Sequence, residues 1–544
     1  MSRGTSRSLF FVLLVIITCG FLGSAAFSQR GGDASYAAGA SDNDVRDGLR
    51  QFSEIYSLVE QNYAEPVNPD KAIYNGAIPG MLHVLDPHSN FFDPKSYSAL
   101  REEQSGRYYG VGMQIAPRNN KIIVVAPFAG TPAYKAGLRP GDVIIAVDAK
   151  ATDNMSVSDV ADLLKGPKGT NVHISILRES NDKPLEFNVV RDEIPRNSVD
   201  LKFMIRPGIG YMHISAFNET TEQEVEDALQ GFGDLKGMIL DLRGNPGGLL
   251  NEGVGVADKF LKKGQTIVSH HGRSSPEKSY KAAHGNGGKD YPLVVLVNRG
   301  TASAAEIVSG AIQDHDRGLI VGEVTFGKGL VQTVYPLSEN TGLALTTAKY
   351  YTPSGRLIQR DYTGVSLYDY YYSREQEDNP SNNANTNAPA KEVKLTDSGR
   401  TMYGGGGITP DVKVKPFKTT KFEDSLLVKY AFFNFAKHYL TNRHIDKNFE
   451  VTDAVMQDFR KFLDSQKIPY TEADLNEGSD FIKSSIKTEL FISEFGQEEG
   501  LRVRAENDPQ VITALDQLPK AKELAENARK ILAQRAAAQQ QSNR

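Results

Sequence analysis

Residues 293–312, LVVLVNRGTASAAEIVSGAI, join a strand, a loop and a helix in one short stretch. The opening run of leucine and valine predicts a buried strand. After the small and polar residues of the loop, apolar side chains recur at helical spacing, so we expect Ile307, Val308, Ala311 and Ile312 to face a core. A buried strand that leads into an amphipathic helix is typical of an α/β domain.

The same order of strand, loop and helix occurs further upstream. A predicted strand at residues 238–241, MILD, leads into the glycine-rich loop LRGNPGG, residues 242–248, and a helical pattern follows. We therefore predict an α/β domain over residues 194–415. Both loops would lie at the carboxyl ends of parallel strands, where α/β proteins usually place their sites.

Other patterns predict the regions around this domain. Residues 41–100 carry apolar side chains at helical spacing, which predicts an N-terminal helical segment. Residues 361–394 are polar, rich in asparagine and contain a tyrosine cluster, which indicates a mobile insertion. We expect a helical C-terminal region over residues 416–533 and a disordered tail, rich in alanine and glutamine, over residues 534–544.

Residues 101–193 change to short β runs separated by glycine turns. The segments YGVGM, 109–113, and AGLRPGDVI, 136–144, resemble a PDZ domain, whose glycine-rich loop presents backbone amides to the carboxylate of a peptide. The peptide itself would add a strand to the edge of the sheet. The alternative is that these glycines only form hairpin turns. By the resemblance, the carboxylate-binding residues would be Tyr109, Gly110, Val111 and Gly112.

The N-terminal segment has the order of an export signal. Arg3 and Arg7 precede an apolar stretch, and small residues follow it up to Ser28. Two alternatives stay open: residues 1–28 are a signal peptide that is removed, or residues 8–27 remain as a membrane anchor. Both predict export to the bacterial periplasm, with the protein either free or anchored to the inner membrane.

The cysteine content and the charge exclude several classes of protein. The only cysteine, Cys19, lies inside the export segment, so the exported chain would have no disulfide, no thiol nucleophile and no cysteine metal site. Lysine and arginine together number 62 against 67 acidic residues, which gives a formal charge of -5. This balance argues against a nucleic-acid partner.

Ser303 is the candidate nucleophile because it stands between two alanines at a strand-to-helix turn. The helix N-terminus would also supply amides that stabilise a developing oxyanion. The alternative is an ordinary helix N-cap, a position that serine favours. A serine hydroxyl is an effective nucleophile only when a base takes its proton, so a partner is needed.

Lys328 is the better candidate for that base. The nearest histidine, His315, would lie about 18 Å away at the far end of the same helix. Lys328 lies among apolar and small residues, and such surroundings would lower the pKa of its amine and populate the neutral form. Gln332 is placed to orient the amine without adding charge. The alternative is a solvated loop lysine.

The segment GEVTFGKG, 322–329, also approaches the phosphate-binding pattern of nucleotide hydrolases. Gly329 follows the lysine where that pattern needs a serine or threonine for magnesium. Residues 330–336 have the composition of a strand, whereas a phosphate loop opens a helix. Nucleotide hydrolysis is therefore the weaker interpretation.

Together these motifs resemble the carboxy-terminal processing (tail-specific) serine protease family. The resemblance covers residues 41–411, in the family's order of helical segment, PDZ domain and protease core. It implies a multidomain α/β fold: a core that resembles the Clp protease and crotonase fold, an inserted β-rich PDZ domain, an N-terminal helical segment and a helical C-terminal region. The motifs that carry it are DPHS (86–89), DLRGNPGG (241–248), NRGTASAAE (298–306), GEVTFGKGLVQ (322–332) and YTPSGR (351–356).

The same resemblance assigns roles to individual residues. Ser303 would be the nucleophile, Lys328 the general base and Gln332 the residue that orients the lysine. The backbone N–H groups of Ala304 and Gly247 would form the oxyanion hole. The implied reaction is peptide cleavage through an acyl-enzyme, with no metal and no cofactor.

The implied partners are proteins or peptides with a free, apolar C-terminus, which the PDZ domain would bind. The C-terminal helices would form a homodimer or dock an adaptor protein. The predicted function is therefore that of an exported serine endopeptidase that processes or degrades proteins recognised by their tails. The main alternative is a catalytically inactive PDZ scaffold or chaperone.

Overall fold

The computed structural model of the protein describes residues 42–118, 120–178, 181, 183–372, 392–441 and 443–542. The described residues divide into two compact units: those within 1–98, 332–346 and 365–368 form the first, and those within 99–331, 347–364 and 369–544 form the second. The predicted export segment, residues 1–28 with Cys19, lies outside the described residues. Within the described part of the chain, no helix has both the length and the apolar character needed to cross a membrane.

The first unit confirms the predicted N-terminal helical segment. Its elements are α1 (Asp42–Asn62), α2 (Pro69–Ala72), a π-helical turn (Ile73–Ala77), α3 (Ile78–His83) and strand β1 (Asn90–Phe92). The side chain of Asn68 caps α2 by accepting the N–H of Lys71, and Pro69 occupies the first helical position, which tolerates a missing N–H. β1 pairs antiparallel with the beginning of β18 (Gly342–Tyr351), with Asn90 opposite Ala344.

The second unit begins with the β-rich region that the sequence predicts. Helix α4 (Pro94–Ser105) leads into it, with its residues from Ala99 onward in this unit. The elements that follow are β2 (Arg107–Gly110), β3 (Met113–Arg118), β4 (Lys121–Pro127), α5 (Pro132–Ala136), β5 (Val143–Val147), β6 (Lys150–Ala151), α6 (Val157–Leu164), β7 (Asn171–Leu177), β8 (Leu185–Val190) and β9 (Asp192–Pro195). The main sheet has the order β3-β4-β5-β7-β8, so β3 is an edge strand. Alternate residues of β7, including Val172 and Ile174, lie in the same apolar core as Val160 of α6.

A six-stranded sheet forms the centre of the second unit. Its strands lie in the order β10 (Val199–Arg206), β11 (Ile209–Ile214), β12 (Gly237–Asp241), β15 (Leu293–Val297), β16 (Leu319–Gly322) and β21 (Val412–Lys413). The last five strands are parallel, and β10 is antiparallel to β11. Every residue of β15 is buried, as expected for a strand covered on both faces. The predicted α/β core is confirmed.

Helices cover both faces of this sheet. On one face lie α7 (Thr221–Phe232), α8 (Leu250–Asp258) and α9 (Ala304–Asp314), whose apolar side chains share a core with Leu240 and Val295. On the other face lie α16 (Gln497–Glu506), α17 (Pro509–Asp516) and α18 (Leu518–Ser542), where Val511 packs with Val294 and Leu296. The end of the chain thus completes the α/β core, which the sequence did not indicate.

The remaining C-terminal helices have an apolar core of their own, which confirms the predicted helical region. They are α11 (Lys421–Val428), α12 (Ala431–Leu440), α13 (Asp453–Ser465), α14 (Glu472–Glu477) and α15 (Ser479–Phe495). Phe432 and Phe435 contact Phe459 with ring centroids 5.8 and 5.1 Å apart.

The structure differs from the disordered tail predicted for residues 534–544. Helix α18 continues through this segment to Ser542, and the guanidinium of Arg535 donates to the carbonyl of Asp397 at 2.6 Å. The contact of Arg535 therefore holds this part of α18 in place, although the composition of the segment had predicted disorder.

Further strands, a helix and a turn complete the described part of the chain. They are β13 (Thr266–Gly272), β14 (Ser275–Lys281), β17 (Leu330–Pro336), a 3-10 turn (Ser338–Asn340), α10 (Leu367–Tyr372), β19 (Val393–Leu395) and β20 (Thr401–Tyr403). α10 falls in the predicted mobile insertion, yet Tyr370 is buried because its ring packs on Phe326 and on the guanidinium of Arg360. Residues 373–391 of that insertion lie outside the described residues.

The contribution of the last helices to the core can be tested on α17. We expect Val511→Asp, at a fully buried position, to destabilise the protein by about 3 kcal/mol or more, because the new carboxylate would have no partner. Ile512→Asp, on the exposed side of the same helix, should cost no more than about 0.5 kcal/mol. The measurement is urea denaturation of both variants. Equal losses would show that α17 does not cover the sheet.

Candidate active site

Ser303 ends the loop that follows β15 and is the N-cap residue of α9. Its backbone has a φ of 54° and a ψ of -116°, a conformation that residues with a side chain rarely adopt. Strained backbone of this kind is concentrated at functional sites, where the surrounding structure must hold it in place. The sharp turn at Ser303 therefore agrees with the predicted role of a nucleophile.

The glycine-rich loop after β12 packs directly on this turn. Gly247 has a φ of 95°, and a side chain there would begin 2.6 Å from Cβ of Ser303, so only glycine permits the approach. Asn245 joins the two loops, since its carbonyl accepts the N–H of Ala302 at 2.9 Å. Its Oδ1 accepts the N–H of Gly247 at 2.8 Å. The Gly247 N–H, predicted to bind an oxyanion, is thus engaged within its own loop in this structure.

Glu306, buried in the first turn of α9, holds the loops of Ser303 and Lys328 together. Its Oε2 accepts the backbone N–H groups of Ser303 and Lys328, each at 2.9 Å. Its Oε1 accepts the N–H of Gly327 at 2.8 Å and the hydroxyl of Thr325. Because two of these N–H groups donate to one oxygen atom, the backbones of Ser303 and Lys328 are neighbours.

The surroundings of Glu306 fit a carboxylate better than a carboxylic acid. Burial raises its pKa, and the hydrogen bonds from Thr325 and from the three backbone N–H groups oppose that rise. A protonated carboxyl group would turn an O–H toward a set of donors. The charged form is therefore the one that satisfies both loops.

The structure places the other predicted catalytic residues as follows. Lys328 lies half-buried in the loop between β16 and β17, and Ala304 begins α9. Gln332 lies on β17 but belongs to the first unit, where its Nε2 donates to the hydroxyl of Thr346 at 3.2 Å. Its predicted contact with the lysine stays a prediction.

The four predicted carboxylate-binding residues fall in two places. Tyr109 and Gly110 belong to β2, which pairs with β9, whereas Val111 and Gly112 form the turn into β3. Gly112 has a φ of 79°, and the hydroxyl of Thr131 donates to its carbonyl at 2.7 Å. β3 lies at the edge of its sheet, so one side of this strand has no partner strand among the described residues.

A polar cluster ties the glycine-rich loop to the end of the chain. Asp241, at the end of β12, accepts from the guanidinium of Arg243 and from the hydroxyl of Tyr211. Nη1 of the same arginine donates to Asp508 at 2.8 Å and to Gln510 at 2.7 Å. The C-terminal helices thus support the loop that packs on Ser303.

His213 completes this cluster as a cation. Its Nδ1 lies 2.5 Å from Oδ1 of Asp200, and its Nε2 lies 3.2 Å from the carbonyl oxygen of Arg243. Both partners are acceptors, so both ring nitrogens carry a proton. Burial opposes the charge, but the hydrogen bond to Asp200 and the charges of Asp200 and Asp241 outweigh it and raise the pKa of His213 to about 9.

Three residues that organise the site were not predicted from the sequence: Glu306, Thr325 and Asn245. Glu306 had a usable signal, because a glutamate three residues after a helix-capping serine is the spacing of a capping box. Thr325 and Asn245 stand in loops without periodic structure. Their contacts depend on how neighbouring strands of the sheet align, so no local pattern identifies them.

Four family models match the chain. One described as peptidase family S41 matches residues 208–366, and one described as a PDZ domain matches residues 123–178. A probable PDZ-protease C-terminal helical domain matches residues 422–474. The N-terminal domain of the activating protease CtpB matches residues 20–96.

The chain is also similar to curated proteins and to a solved structure. It is 42% identical over 318 residues to the carboxy-terminal-processing protease of Bartonella bacilliformis, covering 57% of this chain and 72% of the relative. It is 34% identical over 355 residues to the carboxy-terminal processing protease CtpA of Bacillus subtilis, covering 65% and 75%. The structure of the photosystem II D1 C-terminal processing protease is 31% identical, covers 68% of this chain and 88% of that one, and aligns with a TM-score of 0.34.

The role of Glu306 can be tested by replacing it with its amide. Glu306→Gln keeps the shape but turns an NH2 group toward N–H and O–H donors, so we expect a loss of about 1–3 kcal/mol in stability. Denaturation in urea measures the loss. The exposed Glu477→Gln is the matched control and should change nothing. A variant as stable as the wild type would mean that the amide is tolerated and the carboxylate does not hold the loops.

The charge on His213 predicts a dependence of stability on pH. Its folded pKa is raised above the ordinary value of 6.5, so the stabilisation is complete below that pH and is lost as the pH rises through about 9. Between pH 7 and pH 10 we expect the wild type to lose about 2 kcal/mol more than His213→Gln loses. Urea denaturation at both pH values measures this. The exposed His444→Gln should behave as wild type, and an equal loss in His213→Gln would contradict the assignment.

Proposed function

We propose, because the chain belongs to the carboxy-terminal processing protease family, peptidase family S41, that it is a serine endopeptidase with Ser303 as nucleophile and Lys328 as general base. The family that the sequence motifs indicate is confirmed, together with the PDZ domain and the helical regions on either side of the core. The proposed Ser–Lys dyad goes further than family membership, because it assigns the catalytic roles to two individual residues.

The observation that carries the proposal is the carboxylate shared by the two loops. A nucleophile and its base must lie within hydrogen-bond reach of each other. Ser303 and Lys328 lie far apart in the sequence, yet their N–H groups donate to the same oxygen of Glu306. Both side chains are half-buried, so they are accessible to substrate and still shielded from bulk water.

The proposed reaction is acyl transfer in two steps. The neutral amine of Lys328 takes the proton of Ser303 as Oγ attacks the peptide carbonyl carbon. The resulting ammonium gives its proton to the departing amine when the C–N bond breaks, which leaves an ester on Ser303. Water, deprotonated by the same amine, then hydrolyses that ester and releases the new carboxyl end.

The backbone N–H of Ala304, at the N-terminus of α9, is the main donor proposed for the oxyanion. Gly247 lies against the same turn, but its N–H donates to Asn245 in this structure. Its participation therefore requires that this bond break when substrate binds. Gln332 is proposed to orient the lysine amine.

Substrate recognition is proposed to occur at β3. The free C-terminus of a protein would add a strand to this edge, with its carboxylate at the turn of Val111 and Gly112. We further propose export through the N-terminal segment. Helices α16 to α18 are already packed on the central sheet, whereas helices α11 to α15 form a separate core. A second copy of the chain or an adaptor protein is therefore proposed to dock on helices α11 to α15.

The dyad is tested by cleavage of an unfolded protein that carries an apolar C-terminal tail. The protein from Gln29 onward and the variants Ser303→Ala and Lys328→Ala are incubated with it, and fragments are identified by mass spectrometry. We expect the wild type to cleave and both variants to lose at least about 1000-fold in rate. Lys349→Ala, which removes an exposed lysine from β18, is the control and should remain active.

The alternative functions predict other outcomes. Cleavage by Ser303→Ala at the wild-type rate would exclude the proposed nucleophile. A wild-type protein that binds the tail without cleaving it would instead support the catalytically inactive PDZ scaffold.

A further inference from the structure

Tyr350, near the end of β18, places its hydroxyl between the two proposed catalytic loops. The hydroxyl donates to the backbone carbonyl of Lys328 at 2.6 Å and lies 3.0 Å from the carbonyl of Ser303. One O–H carries one proton, so the shorter bond is the main one and the second carbonyl shares it. Tyr350 is only 1% exposed, so its hydroxyl is shielded from bulk solvent.

The phenol of Tyr350 and the carboxylate of Glu306 bind different backbone groups of the same two residues, Ser303 and Lys328. Glu306 accepts the N–H groups of Ser303 and Lys328, and Tyr350 donates to their C=O groups. Both backbone groups of each residue are therefore bonded to a buried side chain. This pair of contacts holds Ser303 in its strained φ of 54°, which a free loop would leave.

The position of Tyr350 is itself fixed. Its N–H donates to the carbonyl of Gly329 at 3.0 Å, so β18 is bonded directly to the loop that carries Lys328. Burial raises the pKa of its phenol well above the ordinary value, and the charge of Glu306 raises it further. The hydroxyl thus stays protonated, and remains a donor, wherever the amine of Lys328 would be neutral.

We propose that Tyr350 is a positioning residue that sets the distance between the Ser303 hydroxyl and the Lys328 amine. This inference rests on the proposed Ser–Lys function. Without the phenol, the two loops keep their bonds to Glu306 and the bond from the Phe326 N–H to the Thr301 carbonyl at 2.9 Å. The C=O groups of Ser303 and Lys328 then lose their common donor, and the aligned pair is populated less often. The Ser303 hydroxyl then donates less to the neutral amine, so that the neutral form loses stabilisation.

The test compares Tyr350→Phe with Tyr351→Phe in the chain from Gln29 onward. The second variant removes the hydroxyl of the neighbouring tyrosine, whose ring stacks on that of His271 with the two centroids 4.7 Å apart. The probe is an internally quenched fluorescent peptide that ends in an apolar residue with a free carboxylate. We expect Tyr350→Phe to lower kcat about 10-fold with KM unchanged, and Tyr351→Phe to match the wild type.

The pH profile separates positioning from a structural role. Weaker hydrogen bonding to the neutral amine should move the acid limb of kcat/KM to higher pH in Tyr350→Phe. A purely structural defect would lower activity in proportion to the folded fraction, measured by thermal denaturation, and leave the limb in place. A purely structural defect of this kind would overturn the inference. So would a Tyr350→Phe chain that no longer folds, or a Tyr350→Phe variant with the same kinetics as Tyr351→Phe.

Ser303→Ala and Lys328→Ala in the same assay identify which proposal fails. If either variant cleaves at the wild-type rate, the dyad itself is wrong, whatever Tyr350→Phe does. If both are inactive and Tyr350→Phe behaves as wild type, the dyad stands and only the positioning role is excluded.

Discussion

The buried carboxylate of Glu306 is the interaction on which the candidate active site depends. It lies one helical turn after Ser303 and accepts four hydrogen bonds from the two loops, two of them from Ser303 and Lys328. Leaving several buried donors without an acceptor would cost more free energy of folding than any single surface contact contributes. The Glu306 side chain therefore holds Ser303 and Lys328 close together, and the proposed chemistry depends on this proximity.

The carboxylate can do this because α9 itself is enclosed on all sides. Every residue of that helix is buried between the central sheet and its neighbours, so the Ser303 turn is carried on a rigid element. The sheet in turn needs both of its helical layers, and the second comes from the last helices of the chain. Arg243, held by Asp241 and Asp508, links that layer to the glycine-rich loop.

The same dependence on distant parts of the chain is found in the PDZ domain. The last residue of edge strand β3, Arg118, has its guanidinium 3.5 Å from the ring centroid of Phe433 and 4.3 Å from that of Tyr430. Burial lowers the pKa of Arg118 to about 10, while the charges of Glu489 and Tyr430 oppose the fall. The helical region thus anchors the end of the strand that would bind a substrate tail.

The sequence by itself determined the family, the order of the domains and the central strands, because these depend on local patterns. The apolar run of β15, the glycines around Gly247 and the small residues beside Ser303 each require a particular backbone, whatever surrounds them. Only the tertiary structure brought Ser303 and Lys328 to one carboxylate, engaged the Gly247 N–H with Asn245 and laid α17 on the sheet. The first and the last of these contacts join residues that are distant in sequence, while the second sets the conformation of a single loop. In each case packing chooses the partner, which leaves no period or spacing to detect.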